Sequence, residues 1–176
     1  MGTITWPPRQ IDPLKAQLES LASTIQSPPK QLGDNETAWL TRFLVIRSCG
    51  FLEQVVIEVL RTYVREKSYG MVKSFATSHL DHMANPTAGN LCALVGRLDA
   101  NLADALKTFL DENDQYYYRE LAALVDKRHR IAHGLNEGVN QSKALTFKDV
   151  AVAISKWFID NFDPRDGVAA KLKPKT

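Results

Sequence analysis

The stretch DNETAWLTRFLVIRSCGFLEQVVIEVLRTYVREK, residues 34–67, constrains this chain more than any other. Leu40, Phe43, Leu44, Cys49, Leu52, Val55, Val56, Val59, Leu60 and Tyr63 recur at steps of three and four, the spacing that lines side chains up along an α-helix. Arg42, Glu53, Glu58, Arg61 and Arg65 fall on the other side. The spacing predicts one long helix, with Gly50 as the place where it would bend. Its apolar surface is wider than one neighbour needs to cover, which hints at the centre of a bundle or a dimer face.

Shorter helices are expected on either side. DPLKAQLESLASTIQ, residues 12–26, carries Asp12 as a candidate N-cap and Pro13 at the first helical position, a pairing that suits a helix start. SPPK then ends it. Further helices are predicted over 70–84, closed by Asn85 and Pro86, over 87–99 and over 100–113. Another begins at the capping acid Asp114 and stops at Gly134, the residue type expected just past a helix end. A polar loop leads to the last helix, TFKDVAVAISKWFIDNF, over 146–162. No segment alternates as a strand does, and no internal repeat is visible. The expected architecture is all-α, a single-domain bundle of about six to seven helices over residues 11–162. An irregular arm at 1–10 precedes it, and a basic tail at 163–176, ending KLKPKT and expected to be disordered, follows.

The bulk numbers exclude little but direct attention. With 176 residues, 44% of them hydrophobic, the chain has apolar material for one core. A net charge of +2 is too mild to argue for nucleic-acid binding, so such an argument must rest on local clustering. Cys49 and Cys92 sit in apolar contexts outside any metal-type pair, and are expected to be buried free thiols in a reducing compartment. The N-terminal MGTITWPPRQ lacks the apolar run of a signal peptide, and no segment approaches the roughly 20 apolar residues of a membrane span. The expectation is a cytoplasmic protein without membrane contact.

Local clustering occurs at DKRHRIAHGLNEG, residues 126–138, where His129 and His133 stand among Lys127, Arg128 and Arg130. Three readings are open. Cations at a helix C-terminus interact favourably with the helix dipole and need no further role. That does not explain why His133 is an imidazole, the group that exchanges protons near neutral pH. Asp126, His129 and His133, at i, i+3 and i+7, share a face as metal ligands do. The glutamate of an H-E-x-x-H site is missing, however, and the neighbouring cations oppose a divalent ion. HLDH at 79–82 raises the same thought, with His79 and His82 better read as residues of a solvated or partly buried helix face. The third reading is phosphate chemistry: an arginine fork holds a phosphodiester and an imidazole moves protons. RNA supplies its own nucleophile, the 2′-OH, so no metal and no protein nucleophile is required. Geometry strains this reading, because residues five apart lie about 140° apart around a straight helix. Arg128 and His133 meet only through the reach of the long arginine side chain or a loosened last turn, whereas His129 and His133 are about 40° apart.

RHRIAHG resembles the R-x4-6-H signature of the HEPN superfamily, in which a polar residue follows the arginine. Arg128, His129 and His133 fill the three positions. A long helix upstream, a signature helix ending in His-Gly and an amphipathic closing helix extend the likeness over residues 36–162. Among HEPN branches the chain most resembles RiboL-PSP-HEPN and one allied branch. The resemblance implies an α-helical bundle that forms a homodimer, so that two motifs face one cleft. It implies a metal-independent endoribonuclease acting on RNA, without cofactor, in a toxin–antitoxin, phage-defence or RNA-processing setting, with an antitoxin or defence protein as a possible partner. His133 would be the acid/base, Arg128 the phosphate ligand and His129 the supporting polar residue. The alternative is a non-catalytic HEPN module that binds RNA, a nucleotide or a partner protein. Leu135 stands where toxins controlled by AMP transfer carry their acceptor tyrosine, which argues against that control. Glu53 could pair with a motif cation, although a solvated-face role is the simpler expectation. Tyr116, Tyr117 and Tyr118 could stack on bases, although at helical spacing at least one belongs to the core.

Overall fold

Six helices build the described part of the chain: α1 (Ile11–Gln26), α2 (Asp34–Lys67), α3 (Gly70–Leu80), α4 (Ala88–Gly96), α5 (Ala100–Ala132) and α6 (Gln141–Asn161). They belong to a computed structural model that describes residues 4–80, 85–135 and 138–165. The described residues contain no strand, and the architecture is the expected all-α bundle. None of these helices is long and apolar enough to cross a membrane.

The two-sided helix lies at the bundle centre. α2 runs unbroken through Gly50 and touches α1, α3, α5 and α6. Leu44, Val45, Cys49, Leu52, Val55, Val56, Val59 and Leu60 are all fully buried, positions that face more than one neighbour and so account for the wide apolar surface. Fully burying a side chain of this kind stabilises the fold by roughly 1.5–3 kcal/mol. Buried hydroxyls inside α2 are satisfied locally: Thr41 donates to the Thr37 carbonyl at 2.8 Å and Ser48 to that of Leu44 at 2.7 Å. Phe43, on the apolar stripe of the sequence, is instead half exposed beside the exposed Trp39. α6 supplies Phe147, Val150, Ile154 and Phe158 against this centre. Trp6 packs on the same core and donates its indole N–H to the Ile159 carbonyl at 3.1 Å.

Several helix ends differ from the sequence expectation for physical reasons. α1 begins one residue early, so Asp12 is not the N-cap but an acid of the first turn, where it still favours the helix dipole. Pro13 remains in that turn, whose N–H groups have no intrahelical partner to lose. α4 is capped by Thr87, which accepts from the Asn90 N–H, and α5 by Asp99, which accepts from the Asn101 and Leu102 N–H groups. α6 starts at Gln141 rather than 146, because the Asn140 side chain accepts from the Lys143 N–H at 2.8 Å.

α5 is broken at 112–115, where Asn113, Asp114 and Gln115 all have positive φ. Asp114 is therefore not a helix cap; its carboxylate accepts instead from Arg119 at 3.4 Å. The break lets Phe109 and Tyr117 stack with ring centroids 4.7 Å apart, although eight residues of continuous helix would separate them by about 12 Å of rise. Cys92 is half-buried rather than buried. The side chain of His79, residues 81–84 with His82, and the tail from 166 lie outside the described residues.

Candidate functional site

The histidine segment forms the last turns of α5, and its end is a complete C-terminal cap. The Gly134 N–H donates to the Ile131 carbonyl and the Leu135 N–H to that of Arg130, both at 3.0 Å. This pair of bonds is the Schellman arrangement, which needs a left-handed residue at its corner. Gly134 provides it with φ of +73°. His133 is thereby held just past the helix, at φ −88° and ψ 12°, with its N–H still donating to the His129 carbonyl at 3.1 Å.

Two of the three signature side chains meet. The rings of His129 and His133 lie 4.4 Å apart at a 59° tilt, and both are exposed. Arg128 turns elsewhere. Its guanidinium Nη2 stands 3.9 Å from Oε1 of Glu53 on α2, with both side chains about two-thirds or more buried. Among the described residues no hydrogen bond joins Arg128 to His133, and Arg128 pairs with Glu53 instead. Asp126 sits 4.0 Å from Arg130 in a solvated pair.

Glu53 is thus not a solvated-face residue. It lies between Arg128 and Cys49, whose thiol donates to Glu53 Oε1 at 3.7 Å. Burial, helped by the Glu53 charge, pushes the Cys49 thiol up to about 12 from its ordinary 9.0. The thiol therefore keeps its proton at neutral pH and remains a donor. At 3.9 Å the Glu53 carboxylate attracts the guanidinium by charge and draws Arg128 toward α2.

A groove of about 450 Å³ opens beside His129. Its α5 wall carries Tyr118, Asp126 and His129, and its other wall is the start of α4 with Asn85, Thr87 and Gly89. Of the three tyrosines, Tyr117 is packed on Phe109, while Tyr116 and Tyr118 are exposed. Among the described residues no three His, Cys, Asp or Glu side chains gather as metal ligands. Sequence reasoning missed the α4 wall entirely. Glu53 carried a faint signal, an acid one step from the buried Leu52 and four from the buried Cys49.

The bundle is built on one long central helix, with the cationic, histidine-bearing end of α5 close to it. The RiboL-PSP-HEPN family model matches residues 11–163, and the chain belongs to that family. No curated protein and no solved structure matches the chain.

Proposed function

We propose that this protein is a metal-independent endoribonuclease of HEPN type, in a toxin–antitoxin or phage-defence setting. The observation that carries the reading is the exposed His129–His133 pair at the capped end of α5, one turn from an arginine anchored by Glu53, in a chain of the HEPN family. In this chemistry the 2′-oxygen of one nucleotide attacks the adjacent phosphorus and the 5′-oxygen of the next nucleotide leaves. The products are a 2′,3′-cyclic phosphate and a 5′-hydroxyl end. His133 moves the protons as acid/base, Arg128 holds the phosphoryl oxygens as negative charge gathers there, and His129 orients its neighbour.

Arg128 pairs with Glu53 rather than with His133 within one chain, so the active form is a homodimer in which the arginine of one copy serves the histidine of the other. Apolar side chains left exposed on α3 (Met71, Val72, Phe75) and α2 (Trp39, Phe43) favour self-association. The test is cleavage of end-labelled RNA in excess EDTA by wild type, His133→Ala, Arg128→Ala and an equimolar mixture of the two variants. Wild type cuts, each variant alone is inactive, and the mixture recovers roughly a quarter of wild-type activity, since half its dimers are mixed and each has one intact site. Undiminished cleavage by both variants removes the site assignment, and dependence on added metal removes the mechanism. No recovery in the mixture removes the shared site.

A further inference from the structure

Asp126 is out of place in a phosphate-binding helix end. A carboxylate beside Lys127, Arg128 and Arg130 repels the RNA backbone that those cations attract. Its position gives it another task. Asp126 and His129 both line the groove between α5 and the start of α4, three residues and about 4.5 Å of rise apart. The Asp126 side chain is 62% exposed, and its one ion-pair neighbour among the described residues, Arg130, is at 4.0 Å, too long for a hydrogen bond. Its acceptor oxygens are therefore available to an occupant of the groove. Tyr118 also lines the groove about 12 Å away along the helix and is 47% exposed. Gly89 opposite leaves open space where a side chain would stand.

We infer that this groove is a guanine-selecting subsite for the nucleotide flanking the scissile phosphate, with Asp126 as the specificity-determining residue. The inference rests on the ribonuclease reading above for its place beside the scissile bond. Single-stranded RNA presents its bases splayed out, to be stacked on aromatic rings and read along their Watson–Crick edges. A carboxylate accepts hydrogen bonds only, and two parallel donors satisfy it best. Guanine alone offers two on that edge, N1–H and the N2 amino group. Adenine and cytosine offer one amino group and uracil one imino N–H. A guanine against Asp126 lies next to His129, whose ring touches that of His133. The next base along the strand reaches Tyr118 and stacks there without regard to its identity. The groove volume lies within the ~300–1,000 Å³ of typical small-ligand sites.

The test separates base selection from catalysis. Fluorescein-labelled 2′-O-methyl hexanucleotides cannot be cut, and their binding is read by polarisation. Three are compared: oligo(A), and the same strand with one central guanine or one central inosine, which lacks the N2 amino group. Wild type binds the guanine strand about tenfold more tightly than oligo(A), with inosine between them. Asp126→Asn removes the difference, and Tyr118→Ala weakens all three alike. Asp126 is solvated, so urea unfolding of Asp126→Asn should match wild type. Equal binding of guanine and adenine strands, a guanine preference that survives Asp126→Asn, or no binding at all overturns the inference. Guanine preference without cleavage of unmodified RNA defeats the ribonuclease reading and leaves the subsite standing. Cleavage without regard to guanine does the reverse.

Discussion

Replacing Glu53 with glutamine tests whether α2 does more than support the fold. Glutamine keeps the shape of the side chain and removes its charge. At the 3.9 Å that separates Glu53 Oε1 from Arg128 Nη2, Coulomb attraction lies between about 1 kcal/mol in water and about 4 kcal/mol at an effective dielectric of 20. The pair is too long for a hydrogen bond and each side chain is a quarter to a third exposed. Its net worth to stability therefore falls near the low end, at most ~1 kcal/mol. Under the proposed ribonuclease function, catalysis is more sensitive, because an arginine fork displaced by about 1 Å can cost on the order of 100-fold. Two effects compete. Glu53 draws Arg128 into place, and it also offsets part of the positive charge that phosphate would feel. Glu53→Gln should consequently lower kcat by 10- to 100-fold while KM falls or stays level. Cleavage of end-labelled RNA in EDTA across substrate concentrations reads both constants, and urea unfolding reads the stability. A double-mutant cycle with Arg128→Lys isolates the coupling, since an effect that acts through Arg128 is non-additive. Wild-type kcat in Glu53→Gln, or losses that simply add, would refute the anchoring role.

Two further perturbations address the surroundings of the site. Gly134→Ala forces a Cβ into the left-handed region, where open space around the residue leaves backbone strain as the whole cost. Stability should fall by about 1–2 kcal/mol in chemical denaturation, with cleavage reduced as His133 loses its fixed position; an unchanged midpoint means the cap does not hold the turn. Cys49 supplies a pH signature. Its thiol is pushed up to about 12 by burial first and the Glu53 charge second. Above about pH 9 the unfolded chain therefore releases a proton that the native state retains, and stability falls as pH rises, by at most ~1.4 kcal/mol per pH unit. Urea unfolding between about pH 8 and 10.5 should show a slope that is shallower in Cys49→Ala, with Cys92, Tyr63 and Lys148, also raised, supplying the remainder; parallel profiles count against the buried thiol as a source.

Periodicity and capping act over three to five neighbouring residues, so the helical segments and the stop at Gly134 were legible along the chain, although several of their ends were not. The two-sided pattern of 34–67 pointed to a bundle centre or a dimer face, and the contacts of α2 with α1, α3, α5 and α6 place it at the centre. Arg128, His129 and His133 were equally legible as a cluster, their spacing being local to one helix end. Tertiary structure alone decided what that cluster faces. The pairing of Arg128 with Glu53 depends on α5 docking against α2, an outcome of packing between elements far apart in the chain. The left-handed break at 112–115 is a choice the local residues only weakly prefer, made where it lets Phe109 and Tyr117 stack. The groove beside His129 exists because the start of α4 comes to rest along α5. Asp126 read along the chain is one more charge at a helix end. Only against that second wall does it become a carboxylate with something to recognise.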